Sequence, residues 1–219
     1  MTSPDLTRPR SPWVVFTCAD DPWVTAETAA LQEQGGLVFR LDGRDLLEPA
    51  SLFRTFAREL SFLGYFGHNW HALVDCLHDW HGPGHGERNV AVLIEHADAL
   101  LGKEFLGLFV SVLCEAAWNA NLQLDGDGVP HEDRPPFALH FVLLLDHTSP
   151  ADFAEDVLTD VGVALADGRL TATLTDDDGS WPGADPAAAF PGVPFGPGGA
   201  AARCGRDALS GRGPAGGCG

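Results

Sequence analysis

Residues 63–80 hold the chain's densest grouping of side chains that can do chemistry. They read Leu-Gly-Tyr-Phe-Gly-His-Asn-Trp-His-Ala-Leu-Val-Asp-Cys-Leu-His-Asp-Trp. Three kinds of chemistry fit these types and spacings. First, Tyr65 and Phe66 sit between Gly64 and Gly67, just before a helical pattern that carries Asp75. An exposed aromatic ring beside a carboxylate on a rigid helix is a good anchor for a protein partner. Second, His71, Asp75 and His78 fall at i, i+4 and i+7, one face of a helix, with His68 just before them. That spacing can ligate zinc with water in an open position, which would make a metal-dependent hydrolase. Third, Cys76 and Cys114 have histidines elsewhere in the chain, but both fall inside apolar helical patterns and read as inert. No GxSxG elbow and no HExxH pattern is present.

Each residue also has a plainer reading. Asp75 alone would be an ordinary solvated helix carboxylate, Glu115 a plain surface acid, and Cys76 and Trp80 core side chains. Tyr65, the chain's one tyrosine, could be a packed loop aromatic. His71 and His78 need not be ligands at all.

The elements that must position these groups follow from periodicity and punctuation. Residues 13–18 (Trp-Val-Val-Phe-Thr-Cys) read as a short strand. Asp21-Pro22 then opens a helix over about 23–34, closed by Gly35-Gly36. Residues 37–41 form the next strand, ended by Asp42-Gly43. Leu52, Phe53, Phe56 and Leu60 make one helical stripe. Asn69 is an acceptable N-cap for a helix to about Trp80, with Trp70, Leu73, Val74 and Leu77 as its buried face. Residues 89–95 are a nearly continuous apolar strand, 105–119 a strong helix, and 138–145 the last strong strand. Strands and helices alternate, which predicts a parallel sheet covered by helices. A weaker hairpin is expected at 163–165 and 170–174 around Asp167-Gly168, with a helix possible over 152–158.

Composition narrows the function. The chain has 31 acidic and 13 basic residues, a net charge of -18. That opposes nucleic-acid binding, which needs a basic face, and docking on an anionic membrane. It suits a basic protein partner, because opposite fields speed encounter. Five scattered cysteines without a CxxC pair argue against a disulfide framework or zinc knuckle and for a reducing, cytoplasmic setting. No secretory signal and no membrane-length apolar run is visible.

Taken together, residues 65–80 resemble the barstar family, inhibitors of barnase-type ribonucleases. The family pattern Tyr-Tyr/Phe-Gly-x-Asn-x-x-Ala-Leu-x-Asp-Cys-Leu-x-x-Trp is matched by Tyr65, Phe66, Gly67, Asn69, Ala72, Leu73, Asp75, Cys76, Leu77 and Trp80. Flanking elements occur in family order, so the resemblance runs from about residue 37 to 146. It implies an α/β fold, a small parallel sheet of three to four strands packed with helices. It also implies a proteinaceous inhibitor (an immunity protein) rather than an enzyme, with no cofactor and no metal. The partner would be a basic ribonuclease-type toxin, and the free chain a monomer. By resemblance, Asp75 enters the ribonuclease's phosphate site and meets its arginines, a carboxylate standing in for an RNA phosphate. Tyr65 and Phe66 belong to the plugging loop, and Gly67 and Asn69 approach the partner closely. Glu115 pairs with a basic residue at the interface rim. The sequence departs from the pattern at His68, His71 and Val74, and its loops 81–88 and 122–136 are long. His68 and His71 near the contact face would make binding pH-sensitive; constant affinity between about pH 5.5 and 8 would count against that.

The organisation expected is a flexible arm at 1–12 and a strand–helix extension at 13–36 joined to the edge of the sheet. The barstar-like domain follows at 37–148, then an extension of uncertain structure at 149–178 and a disordered Gly/Pro/Ala tail at 179–219. The rival readings are the hydrolase built on His71, Asp75 and His78, and a protein-interaction module that keeps the fold without inhibiting.

Overall fold

The protein is described here by a computed structural model covering residues 4–78, 88–122, 137–156 and 161–174. The helix possible over 152–158 lies partly, and the expected tail wholly, outside these residues; a short 3-10 turn, Pro150–Phe153, occupies the start of the former.

Elements run β1 (Val14–Cys18), α1 (Pro22–Glu33), β2 (Leu37–Asp42), α2 (Pro49–Glu59), α3 (Trp70–His78), β3 (Val90–Glu95), α4 (Leu106–Leu122), β4 (Leu139–Leu145), β5 (Val161–Ala166) and β6 (Arg169–Leu174). The six strands form one sheet in the order β2-β3-β4-β1-β6-β5. β2, β3, β4 and β1 are parallel, and β6 and β5 add an antiparallel hairpin beside β1. The fold is therefore mixed α/β with a mostly parallel sheet, larger than the three to four strands expected. The strand at 13–18 also differs from expectation. It lies inside the sheet between β4 and β6, not at its edge. A buried interior position suits its sequence, since Val14, Val15 and Phe16 are all fully buried.

The apolar runs of β3 and β4 are explained by layers on both faces. Val90, Val92 and Ile94 of β3, with Leu139, Phe141, Leu143 and Leu145 of β4, pack in one core with α2, α3 and α4. The alternate residues Ala91, Leu93, Val142 and Leu144 pack with Val24 and Leu31 of α1 on the other side. α4 is apolar nearly all round, and it is buried nearly all round. Among the described residues no helix is long and apolar enough to cross a membrane.

Residues 4–12, expected as a flexible arm, lie along this second face. Leu6 is wholly buried and joins the α1 core. Its backbone N–H donates to Glu27, the Trp23 indole donates to the Pro4 carbonyl, and Asn89 donates to the Thr7 carbonyl. His140 of β4 is buried, with Nδ1 and Nε2 at 3.2 and 3.0 Å from the carbonyl oxygens of Pro12 and Arg8. The bonds from Leu6, Trp23 and Asn89, with the one that the neutral His140 ring can donate, satisfy polar groups that the arm would otherwise leave to water.

The expected hairpin is present as β5 and β6. Its turn uses Asp167 and Gly168 at φ 51° and 75°, the left-handed conformations that a tight two-residue hairpin needs. Arg169 then ties the hairpin to the start of α1. Its Nε and Nη2 donate to the two Asp21 carboxylate oxygens at 2.6 and 2.8 Å, and the guanidinium lies 5.0 Å from the centre of the Trp23 ring. Asp21 also caps α1 through the Trp23 N–H and accepts from the Thr17 hydroxyl. Hydrogen bonding to Arg169, more than any other influence, holds the Asp21 carboxyl down at about 2.

A carboxyl depressed below its unfolded value of 3.8 stabilises the fold above that pH and loses its contribution as pH falls through about 2. Asp21→Ala is expected to destabilise by about 2 kcal/mol at neutral pH, from the lost cap and ion pair. The difference from the parent should vanish near pH 2. Urea denaturation at pH 7 and pH 2 checks both halves. An equal deficit at the two pH values would show that the pair is not the cause.

Candidate protein-binding site

The chain leaves α2 at Leu60 and reaches α3 through residues 61–69. Here the two neighbouring aromatics part company. Phe66 is buried, 7% exposed, and packs edge-on to Phe53 and Phe62 with ring centres 6.3 and 5.2 Å apart. Trp70 continues the cluster, 4.8 Å from Phe53 and 6.3 Å from Phe109 of α4. Phe66 was expected on the contact face. Its side chain is instead a root that holds the loop to the core. Tyr65, one residue earlier, is 61% exposed, and Leu63 is 53% exposed. Leu63 was absent from the sequence-derived set. Its place directly before Gly64, at the start of the loop that carries Tyr65, was the available signal.

Gly67 is needed for close approach. A Cβ there would sit 3.0 Å from the Asn69 amide nitrogen and 3.4 Å from the Ala72 Cβ. Asn69 holds the turn from both ends. Its Nδ2 donates to the Gly67 carbonyl, and its Oδ1 accepts from the Ala72 N–H at 2.9 Å, the N-cap bond expected of it. This fixes where α3 starts, and so which way Asp75 points. Trp70, Leu73, Val74 and Leu77 are buried as expected, while Asp75 is exposed on the opposite side and His71 is half-buried.

Glu115 lies on α4 beneath this face. It was expected at a rim, but it is only 7% exposed. Burial pushes its carboxyl up to about 7, and the charge of Asp75 pushes the same way. Asp75 is thus exposed and Glu115 buried, close enough for the charge of the first to act on the second. Burial makes the charged form costly, so the Glu115 carboxyl keeps its proton well above the ordinary glutamate range.

This has a testable consequence for stability. The folded chain keeps the Glu115 proton up to about pH 7, whereas an unfolded glutamate releases it near 4.5. Stability should therefore be highest below about pH 4.5 as far as this group is concerned, and fall as pH rises to 7. Glu115→Gln removes the ionisation. It is expected to match the parent near pH 4 and to exceed it by up to about 3 kcal/mol at pH 8. Chemical denaturation at both pH values reads this out, and a variant weaker than the parent at pH 8 would contradict it.

The alternative metal arrangement is not assembled. His78 turns back on its own helix, with Nδ1 3.1 Å from the Val74 carbonyl oxygen. Among the described residues no group of three or more His, Cys, Asp or Glu is placed to hold a metal ion. Cys114 is fully buried, which raises its thiol pKa and leaves it unreactive. Trp80 and the histidines at 81 and 85 lie outside the described residues.

The fold is a mixed α/β layer structure that presents an aromatic loop and the N-capped helix carrying Asp75 on one face. The model of the Barstar family, described as barnase inhibitor, matches residues 37–134. The resemblance read from residues 65–80 is thereby shown for that segment, which spans β2 to α4 and includes the aromatic loop, Asp75 and Glu115. β1, α1, β4 and the β5–β6 hairpin lie outside the match. No curated protein matches the chain.

Proposed function

We propose that this chain is a stoichiometric protein inhibitor, an immunity protein, that blocks the active site of a barnase-like ribonuclease or related toxin. The observation that supports this most is the exposed Asp75 on a helix whose start is fixed by Asn69 and whose back is locked by Trp70, inside the segment matched by the Barstar family. Asp75 is the phosphate mimic, received by guanidinium groups in the ribonuclease. Tyr65 and the backbone at Gly67 and Asn69 plug the cleft around it, with His71 at the margin of the contact. Phe66 supports this surface from below. Glu115 is the reserve charge: when a partner's cation covers the site, the buried carboxyl ionises and pairs with it. The net charge of -18 steers a basic toxin to the complex. The free chain is a monomer that works in the cytoplasm of the cell it protects, without catalysis and without a cofactor.

Titrating barnase-type ribonucleases with the full chain tests this reading. RNA cleavage should fall linearly to a one-to-one end point for the cognate enzyme. The Asp75→Lys variant should leave cleavage intact at the same concentrations. Equal inhibition by both proteins would defeat the assignment of Asp75.

A further inference from the structure

The face of the sheet opposite α3 carries a buried titratable group that the proposed contact does not use. His140 of β4 is 1% exposed. It stands between Ala91 of β3, its register partner, and Trp13 before β1, whose ring stacks on it with centres 6.3 Å apart. Residues 4–12 close over it. Nδ1 lies 3.2 Å from the Pro12 carbonyl oxygen, and Nε2 lies 3.0 Å from that of Arg8.

Both acceptors are backbone oxygens, and that decides what a proton does there. A neutral imidazole has one N–H, so it bonds one carbonyl and turns a lone pair toward the other. An imidazolium would bond both, but as a charge shut away from water. The charged groups around it offset little of that cost. Asp5 of the arm attracts the cation, but it is already paired with Arg8 and Arg10, and Arg10 repels a second cation. Glu27 of α1 accepts from the Leu6 N–H. β1 and β3 flank the ring with Trp13 and Ala91, which carry no charge. Burial is the largest influence and holds the imidazole below its ordinary value of 6.5, against the pull of the two carbonyls.

The arm over this ring can move as a unit. It adds no strand to the sheet. It is fastened by Leu6, wholly buried against α1, and by single hydrogen bonds from Leu6 to Glu27, from Trp23 to Pro4 and from Asn89 to Thr7. Lifting residues 4–12 takes the Arg8 carbonyl off the ring and admits water to it. The open state then takes up a proton near the ordinary histidine value, while the closed state resists it. The state that binds the proton more readily gains as pH falls, so acid favours opening. Linkage limits that gain to about tenfold in the open-to-closed ratio per pH unit.

We propose that residues 4–12 are an acid-released strap and that His140 is its trigger. At pH 7 the neutral ring helps to bond the arm down. Toward pH 5 the arm lifts, His140 takes a proton in water, and the apolar seat of Leu6 on α1 opens. Asp5 does not share this role. Against the upward push of burial, hydrogen bonding to Thr7 holds it below 3.8, so it stays ionised throughout. The α3 face packs on the other side of the sheet, so Asp75 keeps its place while the strap opens.

Hydrogen exchange at the Leu6 amide of the full chain, followed by NMR and corrected for the intrinsic rate at each pH, reports how often the arm is open. Protection in the parent should fall roughly five- to twentyfold between pH 7 and pH 5. His140→Gln keeps a donor but cannot ionise, and its protection should change less than about twofold over that range. The parent's His140 ring should titrate below the ordinary histidine value. The parent's protection and its ring titration need no variant, and they test the strap even where the glutamine chain does not fold. Constant protection in the parent, an equal loss in parent and variant, a His140 ring that titrates at or above its ordinary value, or a Leu6 amide as well protected as Val92 in β3 would each overturn the proposal.

Discussion

Asp75→Ala is expected to weaken the complex with the cognate ribonuclease by about 2 to 5 kcal/mol, mostly through faster dissociation. The size follows from what the change leaves behind. In the proposed complex a guanidinium from the enzyme is desolvated against Asp75, and alanine leaves that cation buried without its partner. Asp75 is exposed in the free chain, so the same substitution opens no cavity in the core. The variant should also shift the behaviour of its neighbour. The charge of Asp75 helps to keep the Glu115 carboxyl high, and removing it should lower that pKa toward the value set by burial alone. Surface plasmon resonance reads the first effect and NMR titration of the Glu115 carboxyl reads the second. An affinity within twofold of the parent would remove Asp75 from the centre of the contact.

The second large effect concerns the loop aromatics. Phe66→Ala should cost about 3 to 5 kcal/mol of folding stability, because the ring fills a closed cluster with Phe53, Phe62 and Trp70. Tyr65→Ala should cost clearly less than Phe66→Ala, since that ring is 61% exposed. Binding should sort them the other way at temperatures where both stay folded: Tyr65 matters directly, and Phe66 only through the position of the loop. Paired denaturation and binding measurements on the two variants separate a plug from a root. If Tyr65→Ala unfolds the chain as readily as Phe66→Ala, the loop is packed differently from this account.

The two aromatics also show where the sequence becomes silent. Their order in a Gly-bounded loop does not say which turns inward; that depends on Phe53 and Trp70, which arrive from two helices. The α3 cap was legible, because Asn69 and the spacing of Trp70, Leu73, Val74 and Leu77 are local signals. So was the hairpin turn at Asp167-Gly168, which local backbone preference dictates. The place of β1 inside the sheet was not, because a strand's own pattern says that it is buried but not which strands flank it. Leu6 lay in a polar stretch, and the face it covers exists only once α1 packs on the sheet. Glu115 was legible in principle. Leu113, Cys114, Ala116 and Ala117 surround it in sequence, and Glu115 is the one charged residue in the mostly apolar stretch of α4. The usual surface habit of glutamate outweighed that signal.

The central claim is that a basic ribonuclease is held by the face around Asp75. The most direct measurement is affinity capture from the lysate and medium of the organism that makes this chain. The baits are the parent protein and Asp75→Lys, and ribonuclease activity is assayed on each eluate after denaturing release and refolding. The account predicts a small basic ribonuclease on the parent bait, silent while bound and active once released, and absent from the variant. Retention of the same ribonuclease by both baits, or parent-bound ribonuclease that remains fully active, would contradict it.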